Sequence, residues 1–406
     1  MIEISNVLTL TGERKSFLIK SNDTVKLDAT NLIAFPGLID PHVHFRVPGQ
    51  EYKEDWCSAA AATLRGGYTT VFDMPNNLPP CITQARLVEK KELINRQLQA
   101  VDIPLRYQLY LGADKNHFDE IYKVKKEIIG IKVFMGSSTG DLLMDDESSL
   151  HAAFAIATKL NLVVAIHAED EEMIQQRRLK YKSHASHYIH SEIRSPEVAA
   201  KAVAKVIELV KLYGTRAYIL HVSSISELEL IAKAKKAGLP IFAETSPHHL
   251  FLDTDAYTKL QGKAQMNPPL RSKEHRLALF EAIHEGVIDT IGSDHAPHTL
   301  AEKSKPYGES PSGVPGIETN LPLLLNAYNQ GLLSLNEIVA LTCYNIQKLF
   351  NLEANEDLVL VDLNQEKVVD QSKLKTKCGW SPFADWKLKG WPVYTIFNNR
   401  IYNLQK

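Results

Sequence analysis

The sequence predicts an α/β architecture: a TIM-like (β/α)8 barrel with a small β-sandwich domain formed by the N- and C-terminal segments. Three observations lead there. Between residues 36 and 350, short β-branched runs alternate with longer helical patterns, the signature of repeated βαβ units. The β-branched runs number eight, the count that closes a barrel. Residues 1–35 and 351–406 instead carry strand-like alternation and turn residues.

The elements follow in order. Strands are expected at 37–43, 68–72, 105–111, 129–134, 162–166, 217–220, 240–243 and 287–291. Helices are expected at 54–65, 145–159, 196–212, 227–236 and 273–285. Gly66-Gly67, Gly238 and Gly286 sit where helix C-caps belong, each just before a strand. An open doubly wound sheet is the architectural alternative. In the flanks, Leu358-Val359-Leu360-Val361 and Val393-Tyr394-Thr395-Ile396-Phe397 alternate, and Asn398-Asn399 marks a turn. Neither flank is long enough to bury much alone, so 1–35 and 351–406 are expected to pair into one domain beside a catalytic barrel of 36–350.

Composition narrows the function classes. A formal net charge of −2 argues against a nucleic-acid partner, which would select a basic face. No apolar run is long enough to span a bilayer, and MIEISNVLTL lacks the basic and apolar regions of a secretory signal, so a cytoplasmic protein is expected. Cys57, Cys81, Cys343 and Cys378 are scattered without a C-x-x-C pair, which suits reduced thiols.

The chemistry-bearing residues gather at strand ends. His42 and His44 lie two apart at the end of the first strand and can converge on one ion, although an H-x-H alone can simply hydrogen-bond. Lys132 lies inside the apolar run Ile-Gly-Ile-Lys-Val-Phe-Met, where lysine is rare without a partner. It snorkels to the mouth, pairs with a carboxylate, or is carboxylated on its amine, a reaction that needs the neutral form favoured by desolvation. His167 and His221 each end an apolar strand, and Asp294 follows the last one. Each alone has a structural reading; Asp294, for example, could cap a helix. Together they fall after strands one, four, five, six and eight, all at the C-terminal mouth where active sites of this fold sit.

These residues stand in recognisable motifs: PGLIDPHVHFRVPG (36–49), FDMPNN (72–77), KVFM (132–135), HAED (167–170), HVS (221–223), ETSPHHL (244–250), MNPPLR (266–271), SDHAPHT (293–299) and GVPGIETNLPLLL (313–325). In this order and over nearly the whole chain they resemble the amidohydrolase superfamily, in its cyclic amidohydrolase branch the dihydroorotase family. The C-terminal KCGWSPFADWKLKGWPVYTIFNNRIYN resembles that family's closing β-segment.

The resemblance implies zinc-dependent, reversible hydrolysis of (S)-dihydroorotate to N-carbamoyl-L-aspartate in pyrimidine synthesis. It implies that His42, His44 and Asp294 bind one zinc, His167 and His221 a second, and that carboxylated Lys132 bridges the two, with Asp294 as proton carrier. It further implies that Arg46, Asn76 and His298 hold the substrate carboxylate while Asn267 and the Pro315-Gly316 backbone contact the ring. The expected partner is a small-molecule substrate, with a homodimer and association with another pyrimidine-synthesis enzyme as further expectations. Two positions depart from the family pattern. Val47 replaces the usual acidic or polar residue after H-x-H-x-R, and Ala354-Asn355-Glu356-Asp357 is only a partial match to the Gly-Asp-Ala-Asp signature. Neither is a proposed ligand.

Three competing readings separate on these residues. Allantoinase-type enzymes typically have Asn where Arg46 stands, and hydantoinase types need no carboxylate clamp. A non-catalytic scaffold would be expected to lose metal ligands, whereas this chain keeps all six. The polar segment 299–315 is either a lid or a solvated loop. The cysteines, His187, His190 and His284 are expected to be structural or surface residues.

Overall fold

A computed structural model describes residues 1–21, 24–137 and 142–405. Eight parallel strands run in sequence order: Leu38–Val43, Tyr68–Asp73, Arg106–Gly112, Gly130–Phe134, Val163–His167, Ala217–Ile219, Ile241–Thr245 and Thr290–Ile291. The ring closes just beyond the last strand, where Val43 pairs in parallel with His295 and His44 N–H donates to His295 O at 2.8 Å. The barrel expectation therefore holds, and the open sheet does not. The last strand is shorter than the expected 287–291, because Val287 and Ile288 donate their N–H groups back to Ala282 O at the end of the preceding helix.

Strand parity puts the chemistry at one end. Val163, Ala165 and His167 share a face two residues apart, so two apolar residues lie below the imidazole inside the barrel. The lower interior is filled by Ile39, Phe72, Tyr110, Val163, Ala165 and Tyr218, with Phe350 from the helix Asn345–Phe350 plugging the bottom. Its ring meets Phe72 edge-on at 5.0 Å and Tyr218 at 5.6 Å. The lower half is thus largely apolar and aromatic, while the titratable groups gather toward the upper mouth.

The expected helices form at Trp56–Arg65, Glu147–Leu160, Pro196–Tyr213, Ile225–Lys236 and Lys273–His284. A further helix unassigned from sequence, Gln84–Ala100, follows the second strand. Gly67, Gly238 and Gly286 take φ of +83°, +77° and +70°, the left-handed geometry expected where those helices end.

Strands from both chain ends form a separate seven-stranded sheet, in which Leu358–Val368 bridges Ile33–Pro36 on one side and Lys387–Phe397 on the other. Asn398 and Asn399 both have positive φ, as a tight hairpin turn requires. Between its last long strands the chain returns to the barrel mouth, where Trp380 Nε1 donates to His298 O at 2.7 Å.

One buried ion pair ties the mouth to the scaffold. Lys90 Nζ lies 2.6 Å from Asp73 Oδ2 and donates to Met74 O and Asn77 Oδ1, each at 2.8 Å. Asp73 Oδ1 in turn accepts from Phe45 N–H at 2.8 Å, fixing the turn between His44 and Arg46. Removing one partner strands the other charge in the interior. Lys90→Ala is expected to lower unfolding stability by about 3–5 kcal/mol in urea titration.

Candidate metal centre

The end of the first strand delivers His42 and His44 to the mouth, and Asp294 arrives from the turn after the last. Their ligand atoms all lie within 4.8 Å of one another. Asp294 Oδ1 stands 3.3 Å from both His42 Nε2 and His44 Nε2. Beside them, His167 Nδ1 and His221 Nε2 face each other at 3.1 Å, and the His42 and His221 rings are 5.5 Å apart. Asp294, His221 and Arg46 hold φ of +45°, +42° and +65°, costly for side chains of this size and typical of sites where surrounding structure dictates the backbone.

The rings are held from behind. His42 Nδ1 lies 2.7 Å from Glu244 Oε1, and Glu244 Oε2 accepts from Tyr218 OH at 2.5 Å. His44 Nδ1 lies 2.7 Å from Asn76 Oδ1. His167 Nε2 lies 2.8 Å from Glu169 Oε2, which is ion-paired with Arg194. Burial opposes ionisation of Glu169, yet Arg194 and His167 hold its carboxyl down at about 2. The carboxylate beside Nε2 favours a proton there, and Nδ1 faces His221 Nε2. Imidazoles braced outside with nitrogens converging inside fit a divalent cation.

Charge states agree with that fit. Burial lowers the His42 pKa to about 3 and those of His44 and His221 well below the usual imidazole value, so the rings are neutral at neutral pH, as metal ligation requires. Lys132 is buried with Nζ 4.6 Å from the Phe134 ring centre. Burial brings its pKa down to about 7, with Asp294 and Glu244 partly offsetting. A substantial neutral-amine fraction therefore stands beside the histidines.

His42, His44, Lys132, His167, His221 and Asp294 line one cavity together with Arg46, Asn76 and Asn267. Phe134, Ala296, Ser312 and Gly313 close it. Arg46 is buried and donates through Nε to Pro297 O at 3.1 Å. Asn267 Oδ1 lies 2.8 Å from His190 Nε2. His298, Pro315 and Gly316 are not on the cavity wall. His298 is buried behind Arg46, with Nε2 3.1 Å from Arg46 Nη2 and 3.0 Å from Ser312 O, and Nδ1 3.1 Å from Lys53 Nζ. Gly316 N–H is engaged by His295 Nδ1 at 3.1 Å.

Sequence reasoning gave no role to Glu244, Glu169, Asp40 or Ser312. Asp40 Oδ1 accepts from His42 N–H at 3.2 Å and Ser293 N–H at 3.0 Å, lacing the first strand to the last. Glu244 closes the strand Ile-Phe-Ala-Glu-Thr, and an acid at the end of an apolar strand was the available signal. Gly292 has no room for a Cβ, which would collide with the Glu244 carboxylate. His190, expected to be structural or at the surface, is buried with Nε2 against Asn267 Oδ1.

Comparison with known proteins agrees with this geometry. The amidohydrolase family model matches residues 33–401. A dihydroorotase of Methanosarcina acetivorans is 34% identical over 403 residues, covering 95% of this chain and 85% of the relative. One from Pyrococcus furiosus is 35% identical over 392 residues, covering 94% and 84%. Among solved structures, the L-hydantoinase of Arthrobacter aurescens superposes with a TM-score of 0.91 at 27% identity, covering 98% of this chain and 95% of the other.

Because Glu244 braces His42, Glu244→Ala is expected to weaken divalent-metal affinity by roughly 10–100-fold in equilibrium dialysis. Circular dichroism should show the barrel intact, separating lost bracing from lost folding.

Proposed function

The chain belongs to the amidohydrolase family, and from that premise we propose that it is a dihydroorotase, a cyclic-amide hydrolase that opens (S)-dihydroorotate to N-carbamoyl-L-aspartate and closes it again in pyrimidine synthesis. One observation carries the choice of substrate. Arg46 is a buried guanidinium on the wall of the catalytic cavity that forms no ion pair among the described residues, and burial pulls its pKa down to about 10. Asp294, Asp73 and Glu302 offset the cost of that burial only in part, so the guanidinium fits a ligand that brings its own carboxylate. Dihydroorotate does so; hydantoin does not. The likeness to hydantoinases is thus one of fold, with Arg46 arguing for a different substrate.

In this reading His42, His44 and Asp294 would hold one zinc, His167 and His221 would hold a second, and Lys132, carboxylated on its amine, would be a ligand to both. Zinc held there would supply a more acidic water and a polarised ring carbonyl. The protein supplies the remaining parts. Arg46 and Asn76 orient the ring through its carboxylate, and His298 supports Arg46 from behind. Asn267, steadied by His190, faces the ring. Asp294 takes the proton released as water adds to the ring carbonyl. It passes that proton to the departing ring nitrogen as the C–N bond breaks, leaving a carboxylate and a carbamoyl NH2. The reverse sequence cyclises the open chain. A cytoplasmic location and a homodimer belong to the same proposal, the latter measurable by light scattering.

A parallel assay with dihydroorotate, hydantoin and allantoin tests the substrate directly: turnover confined to hydantoin would refute the assignment. Arg46→Ala is expected to cut kcat/KM for dihydroorotate by on the order of 100-fold or more while bound metal stays near wild type. Loss of metal in parallel would mean that Arg46 shapes the metal site instead.

Lys132→Ala is expected to lose metal and activity together, and short carboxylic acids supplied in solution should restore part of both. Elemental analysis of the wild type should give two metals per chain; one would refute the bridged pair.

A further inference from the structure

We propose that the open basin adjoining the catalytic cavity is a docking site for the open-chain dianion, a small flexible molecule carrying two carboxylates. The inference rests on the reaction assigned above. The basin has a volume of about 650 Å³ and shares Asn267 and Ser312 with the catalytic cavity, so a molecule held in it lies next to the reaction centre.

Its charges are of one sign. Arg178, in the last turn of the helix Glu171–Lys180, and Lys182 just beyond line the basin, and both are exposed. Neither forms an ion pair among the described residues; Arg178 Nη2 only reaches Ser137 Oγ at 3.4 Å. Arg194 is buried in the basin floor, but Glu169 neutralises it. His190 is buried, contacts Tyr307 OH at 3.2 Å through Nδ1, and burial lowers its pKa to about 3, so it adds no charge. No carboxylate lines the basin among the described residues. Two unpaired cations therefore stand on a wall leading to the cavity.

The two forms of the substrate differ in what they offer this wall. The cyclic form has one carboxylate, and cleavage of its amide creates a second. In a given field the dianion gains twice the Coulomb energy of the monoanion, and the gain falls as salt screens it. The basin thus discriminates between the two by charge and raises the local concentration of the open-chain form.

The experiment measures inhibition of ring opening by N-carbamoyl-aspartate and by orotate, a cyclic analogue with one carboxylate, with metal content determined on the same samples. In Arg178→Ala/Lys182→Ala the inhibition constant of N-carbamoyl-aspartate should rise on the order of fivefold at low salt, narrowing toward wild type at high salt. The constant for orotate should move less than about twofold, with metal content unchanged. The charge-conserving Arg178→Lys/Lys182→Arg pair should restore the wild-type constants. Equal shifts for both inhibitors, no shift, a shift indifferent to salt, or a conservative pair that behaves like the alanine pair would each overturn the proposal. Wild-type protein inert toward dihydroorotate would defeat the parent assignment, and that failure is visible before any variant is made.

Discussion

Desolvation at the upper mouth of the barrel sets the proton state of the groups around the cavity, and both halves of the site depend on it. Packed into an interior with little water, the His42, His44 and His221 rings lose their tendency to protonate and present lone pairs instead of positive charge. The same burial brings Lys132 into the range where a neutral amine coexists with the ammonium at neutral pH. It also leaves Arg46 charged and only partly compensated by Asp294, Asp73 and Glu302, because a guanidinium cannot escape by losing its proton in this range. One solvent effect therefore prepares neutral ligands for cations on one side and a permanent cation for an anion on the other.

The dry environment is built by ordinary packing below and hydrogen-bond lacing above. Phe350 and the aromatic rings around it pack the lower interior. At the mouth, Asp40 joins the first strand to the turn after the last, and His295 continues the closure through Val43 and Gly316. Three side chains held at positive φ need this reinforcement, since each would relax to a commoner backbone geometry in a free loop. Glu244 reaches His42 from two strands away around the ring, and the absence of a side chain at Gly292 makes room for it.

Much of this was legible in the sequence where the relevant period is local. Parity of two along a strand placed His42 with His44 and set His167 at the top of its strand; apolar runs located Lys132, and glycines marked where helices end. The bracing shell was harder to see, because its partners are far apart in the chain. Glu244 is 202 residues from His42, and Trp380 is 82 residues from the His298 carbonyl it holds. No periodicity encodes such pairings. His298 illustrates the difference: its motif marked it for the site, while only the fold shows that Arg46 stands between it and the cavity. Pro315 and Gly316 are likewise nearby but screened, with His295 occupying the N–H that a ring would otherwise meet.

The segment 299–315 bears on how substrate reaches the centre. It begins with a capped helical turn, Leu300–Lys303, and ends by placing Ser312 and Gly313 on the cavity wall. Lys303 is buried in it and donates to Gln265 O at 2.9 Å and Pro311 O at 2.7 Å, and Gly313 N–H donates to Gln265 O at 3.0 Å. Swinging this segment away would break both bonds of the buried Lys303 amine. A wall fastened in this way serves better as a fixed side of the pocket than as a door. The short route for a charged molecule then runs through the neighbouring basin, past Asn267 and Ser312, where the exposed cations of Arg178 and Lys182 already stand.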